Sequence, residues 1–171
     1  MSELSDRHLA ALEPTFLKAL EARANGRIDA ARELFADILR IEPRLAEPRM
    51  ELGRIHLETG RLDDAEVEAR EALRILEAGG QWSMDVPEPV MLALAWALLG
   101  AILKEQAATD EVVFGDPAVF EERIRQSRVA FARAAELDPA DTISALNAAE
   151  MGDRSGEGEG EGEEQGEPEV N

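Results

Sequence analysis

Ala46 to Gly79 reads AEPRMELGRIHLETGRLDDAEVEAREALRILEAG, and shifted back by 34 residues it overlies Leu12 to Leu45. Glu47 and Pro48 fall on Glu13 and Pro14, Gly60 and Arg61 on Gly26 and Arg27, and Asp63 and Ala65 on Asp29 and Ala31. Leu73, Arg74 and Ile75 fall on Leu39, Arg40 and Ile41. Self-similarity at a fixed period of this size marks a stack of repeated units, none of which can bury its apolar face alone. Inside each copy the apolar residues recur three and four apart and are split by one glycine, which predicts helix, turn, helix.

On these residues the chain resembles the tetratricopeptide repeat family, whose 34-residue unit is a pair of antiparallel helices. The second copy carries the match in Leu52, Gly53, His56, Gly60, Leu62, Ala65, Ala69, Ala72 and Ile75. The first carries it in Ala19, Gly26, Ile28, Ala31, Phe35, Leu39, Ile41 and Pro43. Small residues at 19, 31, 53 and 65 let paired helices approach closely, and Gly26 and Gly60 end the first helix of each pair. The resemblance implies an all-α fold, a right-handed superhelical stack of antiparallel helix pairs of the α-solenoid kind.

Outward from the two clear copies the chain divides as follows. A leading segment, 1–13, holds a turn or short helix over the open end of the stack, and Pro14 begins the next helix. The repeat domain spans 14–151, with repeats at about 14–45, 46–79 and 88–140. The third repeat shows itself in Trp96, Leu99, Gly100 and Leu103 of its first helix and in Ser127, Phe131, Ala134, Leu137 and Pro139 of its second. It departs from the regular period by insertions at 79–90 and 108–116, so its helices should be longer than the others and joined near Asp110 to Gly115. Asp116 before Pro117 has the form of an N-cap followed by a first-position proline. A capping helix at 141–151 should turn Ile143 and Leu146 onto the last repeat. Residues 152–171, rich in Gly and Glu with one aliphatic side chain, predict a disordered acidic tail.

Charge limits the partners. The 171 residues carry 37 acids and 18 bases, a net charge of −19; the segment from Asp153 onward supplies −7 and the rest −12. Such a surface repels nucleic acid and anionic membrane, so neither is expected as a partner. Lys occurs only at 18 and 104 and the other 16 bases are Arg, consistent with a biased genome or with a high-salt habitat. The apolar run Val90 to Leu103 is short for a bilayer and falls at repeat spacing, which predicts a buried helix. Met1 to Asp6 lacks the basic start of a signal peptide, and a cytoplasmic location is the default expectation.

Little here could do chemistry. The chain has two His, no Cys and no Tyr, and no phosphate-binding glycine loop follows a strand. His56 falls where paired helices meet and reads as a core residue; His8 has no ligand-forming neighbour at metal spacing. Asp63 and Asp64 begin a helix, where acids complement its N-terminal dipole. Catalytic, cofactor-binding and metal-ligating residues are therefore expected to be absent. Trp82, in the first insertion, reads equally as an exposed anchor or as a lid over the stack.

What remains is binding. The resemblance implies a concave groove lined by the first helices of successive repeats, with Phe16, Met50 and Ala97 in one row, Leu20, Arg54 and Ala101 in the next, and Arg23, Leu57 and Lys104 in the third. Arg beside apolar residues suits another protein's acidic-hydrophobic peptide or C-terminal segment. Alternatively Arg23 and Arg54 simply pair with nearby Glu. None of Asn25, Asn147 and Asn171 falls on that wall, so a paired Lys and Asn clamp for a terminal carboxylate is not expected. The sequence thus reads as a non-enzymatic interaction module. Its competitors are a self-assembling scaffold that dimerises or stacks end to end, and a small chaperone-like adaptor of similar size. The acidic tail could also occupy the chain's own groove.

Overall fold

In the computed structural model the described residues are 6–80 and 85–153, with side chains over 9–80 and 85–150. Trp82, the His8 side chain and the acidic tail from 154 lie outside the described residues. Eight helices and no strand are found among the described residues: α1 (Asp6–Ala24), α2 (Ile28–Ile41), α3 (Ala46–Glu58), α4 (Leu62–Glu77), α5 (Glu88–Ala107), α6 (Asp110–Val113), α7 (Pro117–Leu137) and α8 (Thr142–Asp153). They pair as α1 with α2, α3 with α4 and α5 with α7, each pair packing on the next, and α8 lies on α7.

The turns inside the pairs follow from single residues. Gly26 and Gly60, and Gly79 in the connection after the second pair, have φ of 71°, 73° and 76°, in the left-handed region that costs glycine nothing. After α1, the Gly26 N–H reaches the Arg23 carbonyl and the Arg27 N–H the Ala22 carbonyl; after α3, Gly60 reaches Leu57 and Arg61 reaches His56. These paired bonds satisfy carbonyls that each helix end would otherwise leave open. At the start of α7, Asp116 accepts from the Ala118 N–H at 2.9 Å.

Two clusters make the core. One gathers Leu12, Ala19, Ala31, Phe35, Ile38, Leu52 and Ile55 around the first pair. The other joins Met50, Ala65, Ala69 and Leu76 of the second pair to Leu98, Leu99, Ile102 and Ala130 of the third. α5 is long and apolar enough to cross a membrane, yet most of its apolar window is buried between α4 and α7. Trp96 packs half-buried against this second cluster, while Phe131 lies within the core.

Two expectations fail. The helix does not begin at Pro14: α1 is continuous from Asp6 and carries Pro14 inside it. Burial of Leu12 and packing of Leu9 against the first cluster hold the additional turns despite the hydrogen bond that proline removes. In α8, Ile143 and Leu146 do not cover the stack but stand 70% and 62% exposed, and Ser144 is the buried residue. The Asp141 carboxylate accepts from the Ile143 and Ser144 N–H groups and from the Ser144 hydroxyl, so the small polar side chain is satisfied where it is buried and the larger apolar ones need not turn inward.

Candidate functional site

Of the nine residues expected on the groove wall, the structure leaves only some on a surface. Met50 is 2% exposed and belongs to the core cluster beneath α5. Its length lets it fill the joint between the second and third pairs, so it lines no groove. Phe16 and Leu20 are half-buried against the first cluster, with the Phe16 ring edge-on to Phe35 at 5.6 Å. Leu57, Ala97 and Ala101 are half-buried and Lys104 is exposed. Leu57 and Ala101 do come together: with Leu62, Ala108 and Thr109 they line a shallow depression of about 380 Å³ between the end of α3 and α5.

The two arginines of the wall are occupied. Arg23 donates to Glu51 at 2.6 Å and to Glu58 at 2.5 Å, tying α1 to α3, and Arg54 pairs with the other oxygen of Glu51. Burial acts to lower the Arg23 pKa, but the hydrogen bond to Glu58 and the charge of Glu51 outweigh it and hold the group above its ordinary value. Arg54 thus pairs along its own helix and Arg23 across to α3, and with both arginines engaged the wall is not a basic strip. Lys104 differs. It has no ion pair among the described residues, and its Nζ donates to Asn147 Oδ1 at 2.8 Å. Asn147, on α8, was not legible as part of this wall, because 43 residues separate it from Lys104.

A larger, polar cleft of about 820 Å³ lies around the α3–α4 turn, opposite α6 and the start of α7. Two of its lining residues, Gln106 and Arg123, are held by Glu66, which accepts from Gln106 at 2.9 Å and pairs with Arg70 at 2.8 Å and Arg123 at 3.2 Å. Burial pushes the Glu66 carboxyl up, but the hydrogen bonds from Gln106 and Arg70 and the charges of Arg123 and Arg70 bring it below its usual range. Glu66 thereby ties α4, α5 and α7 together. His56, buried at the α3–α4 joint, has its pKa lowered by burial and by Arg61, and its Nδ1 has no hydrogen-bond partner among the described residues. A neutral core imidazole follows. Among the described residues no three His, Asp or Glu side chains gather as a metal site.

Residues 22–74, from the end of α1 through most of α4, match the tetratricopeptide repeat family model. No curated protein matches the chain significantly.

Proposed function

We infer that this chain, a tetratricopeptide repeat protein by its helical stack and by the family match over 22–74, holds a segment of a partner protein along the inner faces of α1, α3 and α5. Repeats of this family mediate protein–protein interaction and are non-enzymatic modules. The observation that carries the finer reading is the depression that brings Leu57 beside Ala101, one helical turn before Lys104 and Asn147. An apolar side chain fits over Leu57 and Ala101, and a partner carboxylate fits the exposed ammonium of Lys104 backed by the Asn147 amide. Since Arg23 and Arg54 are neutralised by Glu51 and Glu58, the partner needs one such carboxylate rather than an acidic run.

The test is a pull-down from lysate of the native host with wild type and with Ala101→Glu/Lys104→Glu, which fills the depression and reverses the charge at 104 while leaving the arginine network intact. A partner held by the wild type and lost by the variant, with unchanged thermal melts, is the expected result. A partner held equally by both moves the site elsewhere on the molecule. A scaffold role is the second reading, favoured by the exposed Ile143 and Leu146 at the end of the stack. Concentration-dependent sedimentation with no captured partner would favour it.

A further inference from the structure

The polar cleft meets the groove's depression at Gly60, Leu62 and Thr109 and extends from there to α6 and the start of α7. α6 is a single turn closed by Gly115, where an added Cβ would lie 2.4 Å from the Glu111 carbonyl oxygen, so only glycine permits the bend. That bend leaves Phe114 83% exposed and Val113 51% exposed, and Val119, on the cleft wall, is 45% exposed. Apolar side chains this exposed and this close in sequence mark a contact surface.

Beside them the cleft is acidic with its bases already spent. Arg61 is paired with Asp64 at 2.7 Å, and Arg123 with Glu66 at 3.2 Å. Asp63, Glu111 and Asp116 have no ion pair among the described residues. The cleft also holds a buried polar atom without a partner. Gln106 is 5% exposed, and its Nε2 faces the Glu66 and Asp63 carboxylates at 2.9 and 3.4 Å. Those acceptors fix which way the amide points, so its Oε1 is turned away from them and lacks a donor among the described residues. Three carboxylates without an ion pair among the described residues, beside exposed apolar side chains, favour a cationic N–H donor.

We propose that this surface, which borders the groove's depression at Gly60, Leu62 and Thr109 but faces α6 and the start of α7, docks a basic and apolar segment of a partner protein. An Arg or Lys side chain enters the cleft toward Asp63 and Glu111, and neighbouring apolar side chains cover Phe114 and Val119. The cleft volume, about 820 Å³, accommodates one or two long side chains.

The probe is a fluorescein-labelled peptide of alternating Lys and Leu pairs, blocked at both termini and titrated against the full chain by fluorescence anisotropy at moderate salt. Phe114→Ser is expected to weaken binding about tenfold and Glu111→Gln several-fold. Both side chains are exposed, so neither change threatens the fold. Glu13→Gln/Glu33→Gln, which removes two exposed acids from the first pair, is expected to leave affinity within about twofold. The tail acids are common to every variant. The proposal is overturned if Phe114→Ser and Glu111→Gln bind as the wild type does, or if the first-pair control loses as much as they do, which would mean attraction by charge alone. A wild type that sediments as a dimer while Phe114→Ser sediments as a monomer would also overturn it, by making the occupant a second copy of this chain.

Discussion

Gly100 and Gly53 occupy corresponding positions in the first helices of the third and second pairs, yet replacing each by alanine should shift stability in opposite directions. At Gly100 an added Cβ would lie 3.0 Å from Cγ, Cδ1 and Cδ2 of Phe131, a buried ring of α7. Carbon atoms pack best at about 3.5–4.0 Å, so the ring must retreat by roughly half an ångström or more. The ring is 5% exposed, and the Ser127 hydroxyl donates to the Gly100 carbonyl at 2.7 Å, which holds α7 close to α5. Overpacking of this kind costs about 1–3 kcal/mol, and alanine returns about 1 kcal/mol of helix propensity, so Gly100→Ala should lose about 0–2 kcal/mol. At Gly53 the tightest neighbour is a terminal methyl of Leu98 at 3.2 Å, with the Ala65 carbonyl oxygen next at 3.6 Å. A methyl can give by a few tenths of an ångström, so the propensity gain should dominate and leave Gly53→Ala neutral or up to about 1 kcal/mol more stable. Urea unfolding followed by far-ultraviolet circular dichroism measures both, with an unchanged slope confirming a comparable transition. Phe131→Leu in the Gly100→Ala background should recover part of the loss relative to Phe131→Leu alone, a coupling between touching residues. Gly100→Ala more stable than wild type, or Gly53→Ala the worse of the two, would refute the close-approach argument.

Glu66→Ala should cost roughly 1–3 kcal/mol, because it strips a charged acceptor from Gln106, Arg70 and Arg123 at once. Since the folded Glu66 carboxyl titrates below its ordinary value, its contribution is present above about pH 4.5 and fades as pH falls through the lowered folded value; Glu66→Gln should flatten that part of an acid-unfolding curve, and an unchanged curve would refute it. Gly60→Ala, at φ 73° with open space around the added Cβ, should cost about 1–2 kcal/mol from backbone strain alone, and denaturation at the wild-type midpoint would count against it.

Helix pairs, their period and their turns were legible because each depends on near neighbours. Apolar spacing near 3.6 residues makes an amphipathic helix wherever it occurs, and Gly26 and Gly60 close their turns with bonds that span only a few residues. The insertion at 108–116 was equally plain as a break in period, though not that it would hold Phe114 out beside an acidic cleft. The site was less legible than the fold. Whether Arg23 faces a partner or Glu51 depends on how closely α1 approaches α3, across 28 residues of chain. Likewise Met50 becomes core only when α5 closes over it, and Asn147 reaches Lys104, 43 residues away, only once α8 has packed on α7. Local sequence thus determined which segments are helices and how they pair. The tertiary structure decided which faces remain open, since the spacing and rotation of packed helices arise from contacts between residues far apart in the chain, where no periodicity records them.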